Sequence, residues 1–200
     1  MRNRFEVTVM KLRSLSGLLI IMAVTAGCAL SPQVVDIRPE VTTAPAEDRK
    51  AEAALGLEVA DIRESPILGK RDGVYKETAT ISTEGDITRP IRESLSGALE
   101  NMGYRLVEDG SAQPLKVEIV ALEYGVDKEK VTRSIKTYAA INAAYRKGDR
   151  TYHNTYKVTR TKKMLTAPGM EENQTLINET LAAALQQMLR DGELFGLIGE

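Results

Sequence analysis

Few side chains in this sequence could do chemistry, and the most reactive of them stands at the end of an apolar run. Cys28 is the only cysteine among 200 residues. Before it come Thr25, Ala26 and Gly27, and before those the apolar run Leu18–Val24, extended upstream by Leu15 and preceded by Lys11 and Arg13. The run is too short to span a bilayer, which takes ~20 apolar residues. It has the length of the apolar centre of a secretory signal, roughly 7–15 residues. Small residues before the thiol suit a peptidase that needs a narrow, extended substrate. The plainer alternative is a buried, inert thiol after an ordinary signal or a short anchor.

His153 is the only histidine. A catalytic base needs a nucleophile and an orienting acid near it. Neither motif is visible, so no catalytic residue is assigned. Metal centres take clusters of Cys, His or carboxylate, and the carboxylates here lack ligand spacing. No glycine-rich phosphate loop appears, so no cofactor is expected either. The tyrosines allow a sharper reading. Val120, Leu122, Tyr124, Tyr138 and Ala140 fall on the strand faces expected to be wet. Tyrosine combines apolar area with a polar tip and suits interfaces. Val120, Leu122, Tyr124 and Tyr138 therefore form a candidate contact patch. Strand propensity, or cover by the residue 38–50 segment, would explain them more simply.

The stretch ending at Cys28 resembles the bacterial lipobox, with Ala26, Gly27 and Cys28 matching and Thr25 standing where Leu is usual. That resemblance implies cleavage between Gly27 and Cys28, a diacylglyceryl group on the thiol and an acyl chain on the new amino group. Ala29 is not the Asp that favours inner-membrane retention in enteric-type bacteria, so the resemblance points to the outer membrane, with the domain facing the periplasm. Met10-Lys11-Leu12-Arg13 reads as a complete start, and translation is expected to begin at Met10.

Charge agrees with a surface-anchored protein more than with a nucleic-acid partner. The whole chain carries a charge of −1. Removing residues 1–27 takes away four basic residues and one acidic residue, leaving 23 against 27 and a charge of −4. Nucleic-acid binding needs a concentrated cationic face. The remaining 173 residues can form a core of their own, and no second cysteine is present to staple it.

Hydrophobic spacing places the elements. Val34–Ile37 is a short strand stopped by Pro39, and residues 38–50 read as a tether or an extended segment lying on the domain. Leu55–Ile62, part of Ile67–Val74 and Thr78–Ser82 are short strands. Ile87, Ile91, Leu95, Ala98, Leu99 and Met102 recur every three or four residues, so residues 87–102 form an amphipathic helix. Pro90 is tolerated in its first turn, Asp86 or Thr88 caps it, and Gly103 ends it. A return strand begins at Tyr104. Leu115–Tyr124 alternates, then a loop near Gly125–Glu129, then Ile135–Tyr145 and Tyr152–Val158 around a turn at Lys147–Arg150. One side of this hairpin is wholly polar, as in an antiparallel sheet with one wet face. The alternation pairs Ile119 with Ile135 and Glu118 with Lys136. It also pairs Tyr145 with Tyr152, Ile141 with Tyr156 and Ala139 with Val158. A last helix covers about 171–190, and Leu194, Phe195, Leu197 and Ile198 dock as an apolar tag. The expected fold is α+β: an antiparallel sheet with both helices side by side on one face.

With the elements placed, the chain resembles the YajG-type envelope lipoproteins. The likeness rests on the lipobox, Val34–Pro39, the helix ending Asn101-Met102-Gly103-Tyr104, the Leu115–Tyr124 strand, the hairpin to Met164, the Asn173–Leu189 helix and the tail Glu193-Leu194-Phe195. It implies a lipoprotein of the outer membrane and supplies no catalytic residues. The organisation expected is a signal peptide over 1–27, a lipidated N-terminus, short strand and tether over 28–53, and one domain over 54–200. The expected partners are the lipid bilayer, through acyl chains on Cys28, and a protein or envelope component; nucleic acid is not expected. The expected role is non-enzymatic binding, with a binder of small cell-wall or glycolipid fragments as the alternative.

Overall fold

The computed structural model describes residues 32–43, 53–71, 79–128 and 131–200. Its strands are β1 (Gln33–Val35), β2 (Ala54–Asp61), β3 (Ile67–Lys70), β4 (Thr80–Thr83), β5 (Arg105–Leu106), β6 (Pro114–Lys128), β7 (Arg133–Lys147) and β8 (Arg150–Met164). Its helices are α1 (Thr88–Asn101), α2 (Met170–Leu189) and α3 (Gly192–Gly199). The Met10 start and the Asp72-Gly73 turn lie outside the described residues.

β6 is the spine of a curled mixed sheet. β7 pairs antiparallel along one of its edges. On the other edge, β2 and β3 run parallel to it end to end: β2 lies against Pro114–Ile119, and Gly69 of β3 meets Tyr124. β5 extends the sheet beyond β2, β4 and β1 beyond β3, and β8 beyond β7. The α+β class holds. The antiparallel expectation holds for β6–β7–β8 and β3–β4, whereas β1, β2 and β3 each make a parallel pairing.

The two halves of β6 meet at a β-bulge between Ile119 and Ala121. It sits where β2 gives way to β3: Asp61 is the last β2 residue paired, opposite Ile119, and the Ile62 N–H donates to the Ile119 carbonyl at 3.1 Å. An extra residue in a strand bends it and interrupts the alternation of faces. Leu115, Val117 and Ile119 are buried before the bulge, and Leu122 and Tyr124 after it. The expectation that Leu122 and Tyr124 lie on the wet face is therefore corrected, because Val120 takes up one residue of register.

The pairing of β6 with β7 differs from expectation for a related reason. Ile119 faces Ile141, Glu118 faces Asn142, Ile135 faces Val126 and Lys136 faces Gly125. The strand continues through Gly125–Lys128, where a loop was expected, so the reversal falls later and the partners shift. The β7–β8 register is the expected one, including Tyr145 with Tyr152, Ile141 with Tyr156 and Ala139 with Val158.

α1 buries Ile91, Leu95, Ala98 and Leu99 and packs on β2 and β5. Asp86 Oδ1 accepts from the Thr88 N–H at 2.8 Å and the Thr88 hydroxyl at 2.6 Å. Gly103, with φ of 90°, turns the chain out of the helix. α2 lies on β7, β8 and β1, burying Leu176, Ile177, Leu181, Leu185 and Met188. Each such side chain contributes about 1.5–3 kcal/mol by leaving water. The apolar tag is itself a helix, α3, which buries Leu194, Phe195, Leu197 and Ile198 and begins under an Asp191 cap. All three helices share one core with one face of the sheet. The two long helices are not side by side, however, because residues 36–43 run between them.

Candidate functional site

Gly27 and Cys28 lie outside the described residues. Residues 33–43 are built into the domain. Up to Val41 the chain alternates between buried or half-buried and exposed residues: Gln33, Val35, Ile37, Pro39 and Val41 turn inward. The first three residues pair with β4. Beyond them, helix side chains take over the role of a neighbouring strand. Gln174 Oε1 accepts from the Asp36 N–H at 2.9 Å, and Asn178 Oδ1 accepts from the Arg38 N–H at 2.7 Å. Asn178 Nδ2 donates to the Asp36 carbonyl at 2.9 Å. From the other side, the Ser94 hydroxyl of α1 donates to the Pro39 carbonyl at 2.6 Å.

This segment separates two surface clefts. One, of about 750 Å³, lies towards α1 and includes Asp36, Arg38, Glu84, Asp86 and Arg89 in its lining. The other, of about 410 Å³, lies towards α2, with Arg38, Glu40, Gln174, Asn178 and Glu179. Both are walled by charged and amide groups. A small-molecule pocket is typically apolar with a few placed polar groups, and neither cleft has that character.

The four patch residues are not brought together. Leu122 and Tyr124 are core residues at 3% and 5% exposure. Burial pushes the Tyr124 phenol up to about 12, and among the described residues its hydroxyl has no hydrogen-bond partner. Val120, at the bulge, is 36% exposed and Tyr138 is half-buried. These two stay on the outer face of the sheet, near the Ala121–Ala140 pair and Lys157 opposite Ala140. His153 is exposed on the same outer face, opposite Ala144. Among the described residues, no group of three or more His, Cys, Asp or Glu could hold a metal ion.

One polar cluster was missed in the sequence, where Asp191-Gly192 reads only as a helix stop. The Asp191 carboxylate accepts from the hydroxyls of Tyr152 and Tyr156, the latter at 2.7 Å, and from Asn154 Nδ2 at 3.3 Å. It also accepts from the backbone N–H groups of Glu193 and Leu194 that open α3. Burial acts to raise its pKa, but the phenol, amide and backbone hydrogen bonds prevail and hold it at about 2. Burial, with Asp191 as hydrogen-bond acceptor, pushes both phenols upward. A carboxylate held ionised by neutral donors is a capping and docking device: it ties α3 to β8 and offers no proton to transfer. The signal that could have found it is Asp as an N-cap ahead of an apolar stretch.

Comparison with known proteins places this architecture. No relative is found among the curated proteins. The Xanthomonas campestris protein XCC0632 has a similar fold, with a TM-score of 0.54 at 14% identity over 83% of this chain and 96% of its own. An uncharacterised protein matches with a TM-score of 0.46 and 9% identity over 80% and 99% of the two chains. A Helicobacter pylori protein described as a neuraminyllactose-binding hemagglutinin homologue matches with a TM-score of 0.44 and 10% identity over 78% and 95%. A family model described as an uncharacterised lipoprotein matches residues 39–198, from the segment between the helices to the end of α3. The chain belongs to that family of uncharacterised lipoproteins.

Proposed function

We propose that this lipoprotein is held at the outer membrane by acyl chains on Cys28, faces the periplasm, and binds a protein or other envelope component without catalysing a reaction. The observation that carries the binding reading is the outer face of β6, β7 and β8, over which no helix packs among the described residues. All three described helices share a core with the opposite face, and the outer face is left to polar side chains around Val120 and Tyr138. An exposed strand face with apolar and aromatic side chains such as Val120 and Tyr138 set among polar ones is a surface a macromolecular partner could cover. The clefts beside residues 36–41 lack the apolar walls that a small-ligand binder would need.

Anchoring is supported by membership of the lipoprotein family and by the sequence up to Cys28. A photo-crosslinking residue at Val120, Tyr138 or Lys157 should capture one discrete envelope species in cells, identified by mass spectrometry. The same residue at Glu100, exposed on α1, should not. Capture at Glu100 alone would move the partner to the helical side. The mass of the mature N-terminus tests the anchor: three acyl chains on Cys28 are expected, and a free thiol there would remove lipid attachment.

A further inference from the structure

The anchor and the fold together imply an orientation. We infer that the end of the domain formed by the β6–β7 hairpin, the end of β8 and the start of α2 rests on the bilayer, with Val131, Leu165 and Met170 in the headgroup layer. This rests on the anchoring of Cys28 proposed above.

Chain length sets the first limit. Gln33 is already fixed in β1, five positions after Cys28. A chain spans at most about 3.6 Å per residue, so Gln33 is held within about 18 Å of the acylated cysteine. The ladder then gives direction. Gln33 pairs with Ile81, Ile81 with Gly69, and Gly69 with Tyr124, so all four lie at one level of the sheet. β1 is parallel to β4, β4 antiparallel to β3, and β3 parallel to β6. The direction from which the chain enters β1 is therefore the direction in which β6 continues past Tyr124. β6 runs four residues further, to Lys128. At about 3.4 Å per residue it overhangs the level of Gln33 by about 14 Å. The overhang nearly matches the longest leash, so the hairpin reaches the surface that holds Cys28.

The same end carries apolar side chains that the described residues leave exposed. Val131 is 79% exposed, Leu165 74% and Met170 53%. Val131 lies at the β6–β7 reversal, Leu165 follows Met164, which pairs with Arg133, and Met170 opens α2. Asn173, one turn into α2, donates to Gln33 Oε1 at 2.8 Å, which brings the start of α2 to the entry of β1. Charge at this end is mixed, so the apolar side chains carry the contact. β8 holds no acidic residue, and Arg160, Lys162 and Lys163 fall within its last five positions. Glu179 and Glu172 pair with the first two of these cations, and Asp127 and Glu171 lie at the same end. Apolar side chains seated among headgroups are how a surface-bound element holds a membrane.

The test uses the full mature lipoprotein in vesicles of phosphatidylglycerol and phosphatidylcholine. Once Cys28 is acylated, an introduced cysteine is the only free thiol. An environment-sensitive fluorophore on Val131→Cys or Leu165→Cys should shift to the blue and be quenched by nitroxide lipids. On Asp149→Cys, in the turn at the far end of β7, it should do neither. Changing Val131, Leu165 and Met170 together to Asp should abolish the shift and the quenching reported from Lys163→Cys, while the acyl chains remain on Cys28. Unquenched label at positions 131 and 165 on a protein whose mass shows three acyl chains overturns the orientation and leaves the anchor standing. A mature chain without acyl chains overturns the anchor, and the orientation falls with it.

Discussion

The side-chain amide of Asn178 on α2 donates to the backbone carbonyl of Asp36 at 2.9 Å, as a neighbouring strand would. The same amide accepts from Arg38 two residues on. Both bonds are exposed, and a net hydrogen bond contributes only about 0.5–1.5 kcal/mol. Asn178→Ala also gains about 0.6 kcal/mol of helix propensity. With two such bonds lost, global stability should therefore fall by about 0.4–2.4 kcal/mol. The local consequence is larger: amide exchange at Arg38 should rise sharply while the α2 core stays protected. Unchanged exchange at Arg38 would mean that packing of Ile37, not the amide clamp, holds the segment.

Thr137 of β7 and Thr180 of α2 share a buried hydrogen bond of 2.6 Å, and Thr180 donates to the Leu176 carbonyl at 2.7 Å. Thr137 is then the donor of the pair. Thr180→Val leaves a buried hydroxyl without its acceptor, at about 1–3 kcal/mol. Thr137→Val leaves Thr180 still bonded to Leu176 and should cost about 1 kcal/mol or less. Denaturant unfolding of the two variants checks the order. Equal costs would contradict this donor assignment.

Two glycines should respond in opposite ways to alanine. A Cβ on Gly69 would meet the Tyr124 backbone oxygen at 1.8 Å. Gly69→Ala must push β3 off β6, and β3 is the link to β4 and β1. The cost should reach or exceed the ~1–3 kcal/mol usual for overpacking. Gly97, exposed within α1, has nothing within 4 Å of such a Cβ. Gly97→Ala should stabilise by roughly 0.5–1 kcal/mol. Thermal unfolding of both separates the effects.

The Asp191 cluster gives stability a pH dependence. Its pKa, about 2 when folded, lies below the ordinary carboxylate value. Unfolded chains therefore take up the proton first as pH falls. The contribution is complete above about pH 4, the unfolded range. It is lost as pH drops from there through about 2. Asp191→Asn keeps a residue able to cap α3 but abolishes the charge. Its unfolding midpoint should fall less steeply over that window than the parent's. Parallel slopes would mean that other carboxylates carry the acid sensitivity.

The parts legible in the sequence are those whose cause is local. The two long helices follow from apolar residues every three or four positions, and the β7–β8 register follows from unbroken alternation around Lys147–Arg150. The rest depends on partners far away in the chain. β2 runs beside β6 because Gly56–Asp61 meet residues 114–119, and no local pattern selects that parallel match. Asn178 meets Asp36 across 142 positions. The Tyr152–Tyr156–Asp191 cluster joins residues whose separate readings were strand and helix stop. The bulge at Val120 was illegible for another reason: Val120 and Ala121 are both apolar, so nothing marks which is the extra residue. The candidate patch failed on that single position.

Val120 therefore separates what its side chain does from what its backbone does. The side chain is 36% exposed, and Val120→Ala should stay within about 0.5 kcal/mol of the parent, as surface changes do. Deleting the residue takes out the bulge itself. Ile119 and Ala121 pair with Ile141 and Ala140, which are adjacent in β7, so the ladder closes into regular alternation with Leu122 and Tyr124 still facing inward. What goes is the bend that an extra residue gives its strand, at the point where β2 gives way to β3. The deletion variant should therefore still unfold cooperatively, with a midpoint below that of Val120→Ala because β6 must straighten there. Loss of cooperative unfolding would mean that the sheet cannot be built without the bend, whatever the alternation of faces.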